Sequence, residues 1–251
     1  MGMAVLSSRF TSKTLDLAMS FQVIIPQEFK EPLPVLYLLH GLSDDDYSWL
    51  DNTALVRYAS DMQLVIVMPQ VHRSFYTDMV EGGAYWTFLT EELPDLVARW
   101  LPISLEKNKT FVAGLSMGGY GALKWGLNYP DKFAGIASLS GATDLVTMWK
   151  DDANRDLEFK RLFGSIEKLE GSTNDLSYLI NQVKRQANVP EILQICGTED
   201  FLYDYNLNFS KKLLELGFNY SWVEEKGTHD WVFWDQQIQT VLDWISKKIT
   251  N

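Results

Sequence analysis

One run constrains this chain more than any other: Thr110-Phe111-Val112-Ala113-Gly114-Leu115-Ser116-Met117-Gly118-Gly119-Tyr120-Gly121. Residues 110–113 are apolar and partly β-branched, the signature of a buried strand. Residues 117–127 are helix-compatible in spite of their glycines. Between the two lies G-x-S-x-G, with Ser116 at its centre. Strand, sharp turn and helix in that order form the context in which such a serine serves as a nucleophile. The turn forces Ser116 into a strained backbone conformation. Gly114 and Gly118 keep side chains away from the place where strand and helix nearly collide. The hydroxyl is then held out at the carboxyl edge of a sheet. A glycine-bearing turn with an incidental serine is the plain alternative, so the remaining sequence has to supply the serine's partners.

The periodicity of the rest agrees with such a sheet. Residues 35–39 and 64–68 are apolar throughout, as central strands covered on both faces are. Residues 135–139, 192–196 and 219–223 repeat the strand signal. Residues 15–25 alternate in their second half and stop at Pro26, which predicts an antiparallel strand feeding the sheet edge. Helical patterns fall at 53–60, 86–101, 204–216 (closed by Gly217) and 230–248. Pro94 should kink or restart the second of these. Residues 70–85 read as a long loop rich in aromatics and glycine. Residues 144–189 are more polar, hold no strong strand and predict two or three short helices over the sheet. This alternation predicts a single α/β domain over 1–251 with a mostly parallel sheet flanked by helices and an insertion at 144–189. Its chemistry should sit at the carboxyl ends of the strands.

A serine needs a base, and histidine is the side chain best tuned for that near neutral pH. There are three histidines. His40 ends a central strand before Gly41, which suits a backbone role. His72 precedes the nucleophile in a loop. His229 follows the last strand, and only it satisfies the order serine, acid, histidine. The acid should follow a strand between Ser116 and His229. Asp200, in the turn after residues 192–196, leads; Asp144 and Glu199 compete. The oxyanion needs preset donors. The backbone N–H of Met117 and of Leu42, in the loop after residues 35–39, stand in the right places. Trp49, Phe75, Tyr76, Tyr85, Trp86, Trp149, Phe201 and Trp231 lie in loops or at element starts near this edge. Trp49, Tyr76, Trp86 and Trp231 are the expected substrate-binding walls, with core packing as the competing role.

Composition removes several function classes. A formal net charge of −11 argues against nucleic acid and anionic membranes as partners. A single cysteine, Cys196, forms no internal disulfide, and the three histidines show no metal-ligand spacing. No cofactor or metal is expected. No segment has the apolar length of a membrane span, and residues 1–10 lack a signal-peptide pattern, so a cytoplasmic location is the expectation. A homo-oligomer is left open.

Four motifs in order resemble a known family: Leu38-Leu39-His40-Gly41-Leu42, Gly114 through Gly121, Gly197-Thr198-Glu199-Asp200-Phe201-Leu202 and Gly227-Thr228-His229-Asp230-Trp231. They are similar to the α/β-hydrolase esterases of the esterase D and S-formylglutathione hydrolase group, nearest to the bacterial tributyrin esterase branch. The resemblance runs over residues 15–245. It implies an α/β-hydrolase fold with a small helical insertion, cofactor-free serine carboxylesterase activity on short acyl esters, a triad of Ser116, Asp200 and His229, and an oxyanion hole at Leu42 and Met117. The motifs have no neighbouring cysteine of the kind that some glutathione-thioester hydrolases carry, which argues against a dedicated formylglutathione role. Acyl transfer, polysaccharide deacetylation or feruloyl removal on the same triad are the nearest alternatives; a non-catalytic binding protein on this fold is the alternative of another class.

Overall fold

The computed structural model describes residues 2–30, 32–184, 186 and 188–249. Strands β1 (Met3–Ser12) and β2 (Leu17–Pro26) form an antiparallel pair, and β3 (Val35–Leu39) follows. Short helices α1 (Ser48–Asn52) and α2 (Leu55–Tyr58) lead to β4 (Val65–Pro69). After a long loop come α3 (Tyr85–Thr87), a π turn (Phe88–Glu92) and α4 (Leu93–Trp100). Then follow β5 (Thr110–Leu115), α5 (Met117–Asn128) and β6 (Gly135–Leu139).

The segment 144–189 contains α6 (Leu145–Asp151), a 3-10 turn (Ala153–Arg155), α7 (Asp156–Phe163), α8 (Ile166–Leu169) and α9 (Leu176–Val183). The chain closes with β7 (Glu191–Gly197), α10 (Tyr203–Glu215), β8 (Tyr220–Glu225) and α11 (Trp231–Ile249).

The strands make one sheet in the order β1-β2-β4-β3-β5-β6-β7-β8. From β4 to β8 every neighbour is parallel; β2 joins β4 antiparallel. This is the mostly parallel, helix-flanked sheet of the α/β-hydrolase fold. The apolar runs are buried on both faces, as their lack of alternation requires. Val35, Tyr37 and Leu39 face the layer containing α4 to α10. Leu36 and Leu38 face the layer of α1, α2 and α11. Among the described residues no helix is long and apolar enough to cross a membrane.

Two local expectations are corrected and one is met. β2 is not the edge: β1 pairs with it along its whole length and lies outside it. β1 carries a weak pattern because Val5 and Leu6 are both exposed, leaving no apolar face to read. The helix over 86–101 restarts at Leu93, one of the two outcomes expected of Pro94. Its π turn lets the Leu93 N–H reach the Phe88 carbonyl just before Pro94, which has no N–H of its own. The segment 144–189 holds four α-helices and a 3-10 turn, more than the two or three expected.

Candidate active site

Ser116 stands at the turn between β5 and α5 with φ 52° and ψ −116°, a conformation L-residues avoid. Backbone bonds hold it there: its N–H donates to the Leu139 carbonyl (2.9 Å), and its own carbonyl accepts from Tyr120 (3.1 Å) and Ala142 (3.2 Å). The flanking glycines permit the turn. A Cβ at Gly114 would collide with the Gly118 carbonyl, and one at Gly118 with the carbonyls of Leu39 and His40. The N–H groups of Met117 and Leu42 have no acceptor among the described residues. At Met117 this follows from its place in the first turn of α5, where N–H groups lack intrahelical partners.

His229 and Asp200 come from the loops after β8 and β7. These parallel neighbours bring their loops together, and Thr198 N–H to Glu225 O and Glu199 N–H to Gly227 O (2.9 Å each) stitch them. His229 Nε2 lies 2.9 Å from Ser116 Oγ. Its Nδ1 lies 3.0 and 2.9 Å from the two Asp200 oxygens. The Asp200 side chain is fully buried and also accepts the Leu202 N–H (2.8 Å). The imidazole is packed between Phe201 (4.5 Å) and Trp234 (4.9 Å). The competing acids are engaged elsewhere. Asp144 caps α6 through the Thr147 N–H, and Glu199 faces solvent near Lys226.

His40 is a clamp on the loop carrying Leu42. It is buried, and the Val71 N–H donates to its Nε2 (3.1 Å). Nε2 must therefore be unprotonated, and Nδ1 carries the hydrogen donated to the Gly41 carbonyl (2.7 Å). Tyr76 adds a bond from its hydroxyl to the His40 carbonyl (2.8 Å). Asp44 closes the loop by accepting the Gly41 N–H (2.9 Å). Burial pulls the His40 pKa down to about 4. Because the folded pKa lies below the unfolded one, near 6.5, this stabilising contribution is full above pH 6.5 and is lost as pH falls toward 4. The loss is on the order of 3 kcal/mol. Urea unfolding across this range should show the slope in the native chain and its reduction in His40→Asn; identical slopes would contradict it.

The cleft above Ser116 has a volume of about 260 Å³. Phe75, Leu115, Met117, Ala142, Met148, Leu202 and Trp234 form its apolar wall, and Asp44, Arg155 and Phe201 stand at its polar and exposed side. Of the four aromatics expected as substrate walls, none lines it. Trp49 is buried and donates to the Leu39 carbonyl (3.2 Å). Trp231 packs edge-on between Trp49 and Trp234 (5.3 Å each). Tyr76 is buried beneath the cleft on His40. Trp86 lies beneath the buried Lys124 ammonium (4.1 Å), which bonds the Tyr76 carbonyl (2.6 Å). Trp149 packs on Phe159 and Phe163. Phe75 and Phe201, from the wider set, do line the cleft. Asp44, Met148, Arg155, Leu202 and Trp234 had no sequence signal beyond lying in or beside loops at the carboxyl edge.

The family model Esterase, described as "Putative esterase", matches residues 12–245. An acetyl esterase of Caldicellulosiruptor saccharolyticus is 33% identical, over 98% of this chain and 99% of that protein. Two Staphylococcus aureus structures are each 32% identical over 98% of this chain. The fluorophosphonate-binding serine hydrolase FphF has a TM-score of 0.91 with 99% of its chain covered, and the S-formylglutathione hydrolase FrmB 0.89 with 100%. The chain belongs to the Esterase family and is a carboxylic ester hydrolase on an α/β-hydrolase sheet.

Proposed function

We propose that the protein hydrolyses short-chain acyl esters, of the acetyl and tributyrin kind, through an acyl-enzyme on Ser116. The observation that carries the reading is the unbroken relay from the buried Asp200 through His229 to Ser116 Oγ, with both links near 2.9 Å. Ser116 Oγ attacks the ester carbonyl while His229 Nε2 takes its proton. The tetrahedral oxyanion is held by the N–H groups of Leu42 and Met117. The C–O bond to the alcohol breaks, and His229 returns the proton to the leaving oxygen. Water then attacks the acyl group, giving a proton to His229. The acid departs and Ser116 recovers its hydrogen. Asp200 holds the Nδ1–H tautomer and stabilises the imidazolium, without itself taking the proton.

The acyl chain lies against Phe75, Met148 and Trp234. Met148 comes from α6, so the 144–189 segment acts as a cap that sets the length of this end. At about 260 Å³ the cleft is below the roughly 300–1,000 Å³ usual for small-molecule sites, which favours short acyl groups. A series of p-nitrophenyl esters should give the highest kcat/KM between acetyl and butyryl, with a fall of roughly tenfold or more by decanoyl, since methylenes that find no room gain no burial. A steady rise with chain length would contradict the assignment.

A further inference from the structure

We propose that a second lobe beside the cleft, sharing the wall Leu42–Ser43–Asp44, binds a polyhydroxylated leaving group such as a glycerol or sugar moiety, with Tyr85 and Asp44 as its hydrogen-bonding residues. The proposal rests on the ester-hydrolase reading and names the alcohol side of that site. The lobe is the larger of the two spaces, about 680 Å³ against about 260 Å³, and the same three-residue wall lines both. A substrate with its acyl group against Phe75 and Met148 can therefore pass its alcohol portion across Leu42.

The lobe's chemistry differs from that of the cleft. Tyr85 lines it and is only 7% exposed, yet its hydroxyl has no partner among the described residues. That hydroxyl is not among the buried polar atoms left without a partner, so it is open to the lobe, where a ligand can accept its hydrogen. Burial raises its pKa, so it remains a donor throughout the working range. Asp44 offers the complement. Its Oδ2 accepts the Gly41 N–H, while Oδ1 has no donor among the described residues. A carboxylate accepts only, so it asks for hydroxyl or ammonium hydrogens and repels anions. The cation at the rim does not reverse this, because Arg73 is committed to Glu158 (2.7 Å). A phenol hydroxyl, a free carboxylate oxygen and an aromatic ring in one recess, with Ser43 and His72 beside them, suit vicinal hydroxyls on a carbon frame.

The loop from His72 to Tyr76, whose first three residues line the lobe, is held against strain. His72, Phe75 and Tyr76 all have positive φ (50°, 47° and 51°). Such residues persist where the surroundings over-determine them, and they gather at ligand sites. Here the anchors are Lys124 on the Tyr76 carbonyl and His40 on the Val71 N–H. His72 stands edge-on to the Tyr85 ring (5.9 Å, 84°).

The test compares acetyl esters that differ only in the alcohol: propyl acetate, glyceryl monoacetate and 6-O-acetylglucose, on the native enzyme and on Tyr85→Phe. The native enzyme should prefer the hydroxylated esters in kcat/KM, and Tyr85→Phe should cut that preference by roughly 3- to 10-fold, the value of one hydrogen bond. Glycerol should inhibit competitively, and less so in the variant. Equal kcat/KM for all three esters, or a preference that Tyr85→Phe leaves unmoved, would overturn the subsite while the ester reading stands. Failure of the native enzyme on every ester would overturn both.

Discussion

Ser116→Ala is expected to lower kcat for p-nitrophenyl acetate by on the order of 10⁴–10⁶, leaving a folded protein that no longer takes up one equivalent of a phosphonate probe. Oγ is the only atom removed, and it is the one His229 addresses at 2.9 Å. The backbone of this residue permits a sharper comparison. Its φ of 52° and ψ of −116° are open to glycine but strained for any residue with a Cβ. Such strain is worth roughly 1–3 kcal/mol. Ser116→Gly should be as inactive as Ser116→Ala yet melt at a higher temperature, since both lose the same hydrogen bond and only glycine relieves the turn. Equal melting temperatures would mean that the turn stores little strain. Retained activity in either variant would remove Ser116 from the mechanism.

Asp200→Asn should cost on the order of 10⁴ in kcat. The geometry indicates how. Oδ1 is claimed by the Leu202 N–H at 2.8 Å, so an asparagine keeps its oxygen there and turns its NH₂ toward His229 Nδ1. Nδ1 must then accept, which places the hydrogen on Nε2, facing Ser116, where a base is needed. Asp144→Asn provides the contrast. Asp144 caps α6, and asparagine caps equally well, so activity and stability should stay near native. Asp144→Ala should cost about 1 kcal/mol of stability. A large loss of turnover in Asp144→Asn with little in Asp200→Asn would reverse the assignment of the acid.

The two acids illustrate what sequence reasoning could resolve. Chain order ranked Asp200 above Asp144 because loops after successive parallel strands share one edge of the sheet. Glu199 ranks last of the three, yet as a neighbour in the same turn it obeys the same ordering rule, and only the structure separates it from Asp200. The Gly197–Asp200 turn sends Asp200 inward and leaves Glu199 in solvent. The aromatic walls were less legible. Trp49 and Trp86 lie near the carboxyl edge in sequence, but α1 turns Trp49 beneath β3, and Trp86 is covered by the buried Lys124 amine. Asp44 carries no signal of its own along the chain. Its bond to Gly41 depends on how that loop closes over β3 and β5.

By itself, then, the sequence determined the strand–turn–helix at Ser116, the mostly parallel character of the sheet, and the candidacy of His229 and Asp200. Each of these follows from neighbours along the chain: hydrophobic period, glycines at a close approach, and the order of elements. Only the tertiary structure decided which side chains line the cleft, that His40 clamps the Leu42 loop as a neutral imidazole, and that a second lobe opens across Leu42–Asp44 from the cleft. Those depend on the direction a loop side chain takes. That direction is set by partners dozens of residues away, such as Val71 on His40 and Lys124 on Tyr76.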